Sequence, residues 1–180
     1  MSDIAAIWAF WFAPAHEAKW YEKDPAFDAA IRARFGKLHE AAVAGALDHW
    51  PVTAHGALAL ILLLDQFSRN LYRNNPRAFA SDARALATAE LAVSRGFDQG
   101  FPFKAQQFFY LPFEHAEDLA AQQRCVELFT ACANDEGIKY AIAHRDIIAR
   151  FGRFPHRNVA LGRVSTAEEI EFLKGPNSSF

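Results

Sequence analysis

Four short polar segments interrupt a strongly apolar sequence, and their residue types could bind ions or transfer protons. The segments are 65–70, 114–118, 144–146 and 150–158, the last of which is followed by Arg163. Carboxylates, histidines and arginines are the side chains that ligate metals, move protons or bind anionic groups. Each segment also has a purely structural interpretation, because charges buried in a protein core must be paired.

The first segment contains two opposite charges at helical spacing. Asp65 and Arg69 are four residues apart, which is the spacing of an ion pair along one helix face. They follow the apolar run 57–64, so we expect the pair to be partly buried. One interpretation is an ion pair that fixes helix packing. The other is that Arg69 faces a pocket and is oriented by Asp65, with Asn70 as a further ligand-binding candidate.

The second segment combines acids with a histidine. If one helix runs from about Phe113 to Ala133, its acids share a face and His115 can meet Asp118 three residues later. Together with Glu117, these side chains could form half of a metal site or orient His115 as a base. The segment lacks the His-Glu-x-x-His pattern, however, and acids in a first helical turn also suit the helix dipole.

The remaining segments differ in what they could do. Residues two apart point to different sides of a helix, so 144–146 does not form one site, and we expect His144 to be a hydrogen-bonded core residue. The segment 150–158 is dense in hydrogen-bond donors, and arginine can grip a carboxylate or phosphate through two parallel bonds. Its candidate ligand-binding residues are Arg153, His156, Arg157 and Asn158.

Charge balance leaves two interpretations of these donors open. Residues 139–163 hold six Lys or Arg and one acid, a formal charge of +5, whereas residues 114–136 hold six acids and one Arg, a formal charge of −5. The two stretches are consecutive and could neutralise each other without a ligand. Alternatively, the loop has surplus positive charge and binds a small anion.

Other chemistries have no signature in this sequence. There is no Gly-x-Ser-x-Gly nucleophile motif, no glycine-rich phosphate loop and no Cys-x-x-Cys pair. Ser68 has no identifiable base, and we expect Cys125 and Cys132 to be buried thiols in a reducing compartment. We assign no metal ligand and expect no cofactor.

The composition limits which binding partners and which cellular compartment we expect. Apolar residues make up 52% of the 180-residue chain and the formal net charge is −2, so we expect neither nucleic acid nor a membrane as partner. The apolar stretch 4–13 lacks the preceding Lys or Arg of a signal peptide, and the longest apolar run has eight residues. We therefore predict a cytoplasmic protein.

Helical spacing dominates the elements that must position these residues. Asp24 before Pro25, Thr53 and Ser81 are predicted N-caps, Gly96 a helix end, and Thr166 the start of a capping box. The run around 58–64 is apolar all round, which predicts the most buried helix. No stretch alternates as a strand does. We predict one all-α domain over residues 1–180, an antiparallel stack of about seven to nine helices.

Three long motifs resemble a known family. Segments 64–70, 111–118 and 151–158, with Leu161-Gly162-Arg163, resemble the uncharacterised family called domain of unknown function 924. The resemblance covers nearly the whole chain and implies a tetratricopeptide-like superhelix, but it implies no reaction. One departure is Ala116, where the motif is expected to carry serine.

Three hypotheses about function remain open. The first is a binding module, whose helical groove and Arg/His/Asn loop hold a small anion or an acidic peptide. The second is a metal-assisted hydrolase that uses His115, Glu117, Asp118 and His156. The third is that the polar motifs form one buried network that specifies the fold.

Overall fold

The computed structural model describes residues 1–176, 178 and 179, and these residues form helices and turns without a β-strand. The predicted all-α class and helical stack are thus confirmed. The chain forms two compact units, which we describe separately. Unit 1 comprises Met1–Arg73 and Arg77–Phe109, and unit 2 comprises Asn74–Pro76 and Tyr110–Phe180. That residues 1–180 are one domain stays a prediction.

The helices follow one another with short connections. Unit 1 contains α1 (Asp3–Trp11), α2 (Pro14–Glu17), α3 (Pro25–Val43), α4 (Ala54–Ile61), α5 (Ser68–Leu71) and α6 (Asp82–Ser94). Helix α7 (Phe103–Glu114) begins in unit 1 and ends in unit 2, which also contains α8 (Leu119–Ala131), α9 (Asp135–Phe151), α10 (Asn158–Leu161) and α11 (Ala167–Phe172). No helix within the described part of the chain has the length and apolar character needed to cross a membrane.

The central helical run of unit 1 is the most buried, as predicted. Thr53 caps its start by accepting a hydrogen bond from the Gly56 amide at 3.1 Å. Between α4 and α5, Leu62–Phe67 is a π-helix, and all six of its residues are buried. The wider i→i+5 turn has no pattern in the sequence, and such turns often occur near functional sites.

Capping side chains define where several helices begin. The Asp24 carboxylate accepts from the Ala26 and Phe27 amides at 2.9 and 3.0 Å, which confirms the predicted start of α3. Thr166 forms the predicted capping box with Glu169. Ser81 is the N-cap residue of α6, as predicted, but its hydroxyl donates to the Leu64 carbonyl and makes no capping hydrogen bond.

Helices α8 and α9 of unit 2 pack closely because Gly137 lies at their contact. A Cβ atom on Gly137 would come within 2.4 Å of the Phe129 ring. Asn134 caps α9 by accepting from the Gly137 amide at 2.6 Å. Helix α9 ends at Gly152, which has a φ of 68° and turns the chain so that Phe154 enters the core.

The predicted continuous helix from about Phe113 to Ala133 is wrong. Helix α7 ends at Glu114, and α8 starts after Asp118, whose carboxylate accepts from the Ala121 amide at 2.8 Å. An aspartate at this position provides the cap that a new helix needs, so the chain turns there. His115 and Asp118 therefore do not lie on one helical turn.

Candidate functional site

The predicted site residues fall in both units. Asp65, Arg69 and Asn70 belong to unit 1. The others belong to unit 2, namely His115, Glu117, Asp118, Arg153, His156, Arg157 and Asn158. The predicted roles of these residues in ligand binding stay predictions.

Arg69 is surrounded by acceptors within unit 1. Its guanidinium lies 3.1 Å from an Asp65 carboxylate oxygen, as the four-residue spacing predicts, and donates to the Asp65 carbonyl at 2.9 Å. It also donates two hydrogen bonds to Asp82, both at 3.1 Å. Burial opposes the charged form, but Asp65 and Asp82 raise the pKa of Arg69 above its ordinary value. These contacts engage both terminal nitrogens of the guanidinium, which a bidentate ligand would otherwise bind.

Asn70 belongs to a different group of side chains. Its amide donates to the Asp28 carboxylate at 2.7 Å. Arg73 donates to both oxygens of the same carboxylate, at 2.5 and 2.9 Å, and to the Glu22 carbonyl at 3.1 Å. Asp28 therefore neutralises Arg73, and α3 is joined to the segment that follows α5.

An open depression lies beside this group, and we call it the α3–α5 groove. Its volume is about 480 Å³. It is lined by Pro25, Asp28, Ala29, Arg32, Ala33, Asn70, Leu71 and Arg73. Two arginines and one aspartate give these lining residues a formal charge of +1. The groove thus combines guanidinium groups with an apolar floor.

Arg32 differs from the other arginines described so far. It is exposed, donates to the Leu71 carbonyl and lies over the Tyr72 ring with 5.9 Å between the guanidinium carbon and the ring centroid. Within the residues that the structure describes, it forms no salt bridge. Its positive charge is therefore not neutralised by a carboxylate in the groove.

Small side chains keep the groove open. Pro25, Ala29 and Ala33 recur every four residues, so they lie on one face of α3 and leave space above it. Asp28 and Arg32 occupy the neighbouring face at the same spacing. The cap at Asp24 fixes where α3 begins and therefore where this face points.

Asp28, Arg32 and Arg73 were not among the predicted site residues. A signal was available, because Asp28 and Arg32 have the i, i+4 spacing of an ion pair and Arg73 follows Asn70 by three residues. Neither pair stood out among the many charged residues of exposed helix faces. Only the packing of α3 against α5 brings the two pairs to one groove.

In unit 2, Glu117 holds the loop that contains the predicted arginines. Arg163 donates to both Glu117 oxygens at 2.7 and 2.8 Å, and the Phe154 amide donates to one of them at 2.8 Å. Burial raises the pKa of Glu117, but the hydrogen bonds from Arg163 and Phe154 outweigh it and hold the pKa below its ordinary value. Glu117 therefore remains an anion that ties the loop to the turn before α8.

Arg153 forms a second closed group with a buried glutamate. It donates to both oxygens of Glu169 at 2.6 and 2.8 Å and to the Val164 carbonyl at 2.9 Å. Glu169 is 2% exposed, and the Thr166 amide and Asn158 side chain also donate to it, at 2.7 and 3.3 Å. Arg153 first, and then the Thr166 amide, lower the pKa of Glu169 to about 2.

The histidines of unit 2 lie around Arg157. Arg157 donates to the His115 carbonyl at 3.0 Å and stacks on Phe154, with 4.5 Å from its guanidinium carbon to the ring centroid. His144 is 4% exposed, and burial lowers its pKa to about 3, with smaller contributions in the same direction from the neighbouring His115, Arg157 and His156. His144 is thus a neutral core histidine whose Nδ1 contacts the Tyr140 carbonyl at 2.9 Å, as predicted.

Two catalytic arrangements can be compared with this geometry. Across residues 1–176, 178 and 179, no group of three or more His, Cys, Asp or Glu side chains is arranged to hold a metal ion. The expectation that Ser68 lacks a base is wrong, because His39 Nε2 lies 2.8 Å from its Oγ. Ser68 is 0% exposed, however, and its hydroxyl donates to the Leu64 carbonyl, so the pair joins helices in a site shielded from solvent.

Comparisons with known proteins agree with the helical architecture. The family model described as a bacterial protein of unknown function, domain of unknown function 924, matches residues 7–177. A solved structure described as a protein of unknown function from Agrobacterium tumefaciens is 46% identical, covers 96% of this chain and 97% of its own, and has a TM-score of 0.91. No curated protein matches the chain. The chain therefore belongs to the bacterial family of domain of unknown function 924.

Proposed function

We propose that this protein is a binding module for a small anion, which it holds in the α3–α5 groove. The observation that carries the proposal is the state of Arg32. Its guanidinium is exposed beside an open groove, and it forms no salt bridge with a carboxylate of the described residues. An anion in the groove gains a charge-assisted, bidentate partner in Arg32. Asn70 and Arg73 also line the groove, but both donate to Asp28, so Arg32 is the cation on which the proposal rests.

The groove supports this proposal better than the Arg/His/Asn loop of unit 2 does. Arg153 and Arg163 in that region each form two hydrogen bonds to one carboxylate. A ligand there has to displace Glu169 or Glu117, and displacement leaves a charged side chain without its partner at a cost of several kcal/mol. These pairs support the hypothesis that the loop specifies the fold, whereas Arg32 can accept a ligand without breaking an ion pair.

The alternative of a metal-assisted hydrolase has less support. Arg163 and the Phe154 amide occupy the carboxylate oxygens of Glu117, and Asp118 is occupied in capping α8. A metal ligand needs lone pairs that point to a shared centre. We therefore do not extend the proposal to a reaction.

The proposal also includes a tetratricopeptide-like fold and a cytoplasmic location. The helical stack and the short turn that joins α8 to α9 support a tetratricopeptide-like arrangement of helix pairs. The described helices include none suited to crossing a membrane, which is compatible with a cytoplasmic location. Both remain part of the proposal.

Isothermal titration calorimetry with inorganic phosphate, sulfate and succinate tests the proposed function. We expect saturable binding by the wild-type protein and at least a tenfold loss for Arg32→Gln. Arg32→Lys keeps the charge but loses the planar fork, so it should retain only part of the affinity. The matched control is Arg124→Gln, because Arg124 is exposed and its described partner is Glu127 three residues away.

Two results would overturn the proposal. One is the absence of binding for all three anions at low ionic strength. The other is equal binding by the wild type, Arg32→Gln and Arg124→Gln, because a nonspecific effect of net charge predicts equal losses for both variants. Circular dichroism of each variant establishes that it is folded.

A further inference from the structure

We infer that the anionic groups bound by the α3–α5 groove belong to an amphipathic acidic helix of a partner protein, which lies along α3. This inference rests on the proposed function, since Arg32 binds one of the acidic side chains of that helix. Three further features of α3 support it: a second groove, a surface of small residues and additional cations. All of these features lie within unit 1.

A second open groove lies on the other flank of α3, and we call it the α1–α3 groove. Its volume is about 460 Å³. From α1 it is lined by Asp3 and Ala6, and from α3 it is lined chiefly by Arg34, Lys37 and Ala41. The two lining cations outnumber the single acid, so this groove also has a formal charge of +1.

Small residues form a ridge between the two grooves. The α3 ridge consists of Ala26, Ala29, Ala33 and Gly36, which lie on one helix face opposite the buried Phe27, Ile31, Phe35 and His39. The three alanines are exposed. A Cβ atom on Gly36 would meet no other atom within 4 Å, so the surface above it is open. Another helix can therefore approach α3 closely along this ridge.

Cations flank the ridge on both sides. Arg32 lies on the side of the α3–α5 groove, and Arg34 and Lys37 lie on the side of the α1–α3 groove. In the described part of the chain, none of the three forms a salt bridge. Arg34 is instead placed over the Phe10 ring, with 4.8 Å from its guanidinium carbon to the ring centroid. The acid nearest the end of the ridge, Glu40, is paired with Arg77 and accepts from Tyr72.

This local charge contrasts with the chain as a whole, which has a net charge of −2. A positive face on an acidic protein selects acidic partners and accelerates their association. The chemistry of the face thus specifies carboxylates on both flanks of the ligand and apolar side chains between them. That pattern is an amphipathic helix with acids beside its apolar stripe.

The dimensions favour a helix over a single small anion. From Ala26 to Gly36 the ridge extends about 15 Å at ~1.5 Å per residue. One phosphate or dicarboxylate can contact Arg32, but it cannot also reach cations on the opposite flank of the ridge. An acidic helix of about three turns contacts both flanks and covers the ridge.

A lipid surface fits the same face less well. Peripheral helices that bind membranes bury large apolar side chains such as Trp, Phe and Leu in the interface. The α3 ridge instead presents alanine and glycine, whose small size suits close approach of another helix. Anionic vesicles nevertheless provide a useful arm of the test.

The probe is a synthetic 16-residue helical peptide with leucines on one face and glutamates on both sides of them. Fluorescence anisotropy of the labelled peptide measures its affinity for the full-length protein. We expect saturable binding with a Kd below about 1 mM and at least a tenfold loss when the glutamates are replaced by glutamines. Lys37→Gln should weaken peptide binding without changing phosphate binding at Arg32.

The decisive variant is Gly36→Leu. Leucine favours a helix more than glycine does and its side chain would enter open space, so the fold should be retained. We expect at least a tenfold loss of peptide affinity with unchanged phosphate binding, because the new side chain blocks close approach. The matched control is Ala120→Leu at an exposed position of α8 in unit 2, which should bind the peptide as the wild type does.

The outcomes separate this inference from the proposed function. If phosphate binds in an Arg32-dependent manner but the peptide does not bind, the acidic-helix partner is wrong and the anion site stands. If the peptide binds equally to the wild type and Gly36→Leu, the α3 ridge is not its docking surface. Binding to vesicles of phosphatidylserine and phosphatidylcholine, without peptide binding, overturns the inference in favour of a lipid surface. If neither phosphate nor peptide binds, both proposals fail.

Discussion

Replacing Arg69 by methionine should strongly destabilise the protein. Arg69 is the common partner of Asp65 and Asp82, and the side chain of Asp65 is only 1% exposed. Removing the guanidinium leaves a buried carboxylate without its counter-charge, which typically costs about 3–5 kcal/mol. A chain of this size loses about 2–4 °C in Tm per kcal/mol, so we expect a decrease of about 6–20 °C.

Urea denaturation followed by circular dichroism and tryptophan fluorescence measures this loss. The matched control is Arg124→Met, whose exposed pair with Glu127 should contribute less than about 1 kcal/mol. Adding Asp65→Asn to the Arg69→Met variant should recover part of the loss, because no orphaned charge then remains at that position. If Arg69→Met and Arg124→Met have the same stability, the assignment of Arg69 to a structural network is refuted and its role as a ligand-binding residue gains support.

Three further substitutions test other parts of the structure. Asp28→Asn removes the acid that competes with an anion for Arg73. The repulsion between this acid and a bound phosphate is ~1 kcal/mol in water, so we expect calorimetry to show about fivefold tighter phosphate binding. Weaker binding would contradict the proposed groove. Gly137→Ala should lower the urea midpoint by the equivalent of about 2 kcal/mol or more, since its Cβ would overlap the Phe129 ring; an unchanged midpoint would show that α8 and α9 can separate freely. Burial lowers the pKa of His144 from 6.5 to about 3, so the unfolded chain takes up a proton that the folded chain does not, and stability should fall as the pH decreases from about 6.5 towards 3. His144→Gln should fall less steeply over that window in denaturant titrations at several pH values, and parallel profiles would contradict the assignment.

The fold class and several helix boundaries could be predicted because their causes are local. Asp24, Thr53 and Thr166 each accept hydrogen bonds from amides within the next three residues, so neighbouring positions suffice to recognise them. The apolar run before Asp65 likewise predicts burial from composition alone. The N-cap position of Ser81 was also predicted, but its hydroxyl bonds to a carbonyl 17 residues earlier in the chain, which local spacing does not reveal.

The break between α7 and α8 was missed although its signal is local. Glu114 to Ala116 has no strong helix-breaking residue, and Pro112 lies inside α7 without ending it. The Asp118 cap competes with continuation of the helix, and periodicity alone does not decide that competition. This error changed the predicted site, because it placed His115 and Asp118 on one helical turn.

What the sequence by itself determined is the all-helical architecture, the caps of the main helices and the ion pair between Asp65 and Arg69. These features follow from interactions between residues a few positions apart. Only the tertiary structure decided that Glu169 neutralises Arg153 and that Arg32 remains exposed beside a groove with Asn70. Such pairings depend on how distant helices pack, because one arginine can reach any of several carboxylates and local spacing does not specify which one it meets.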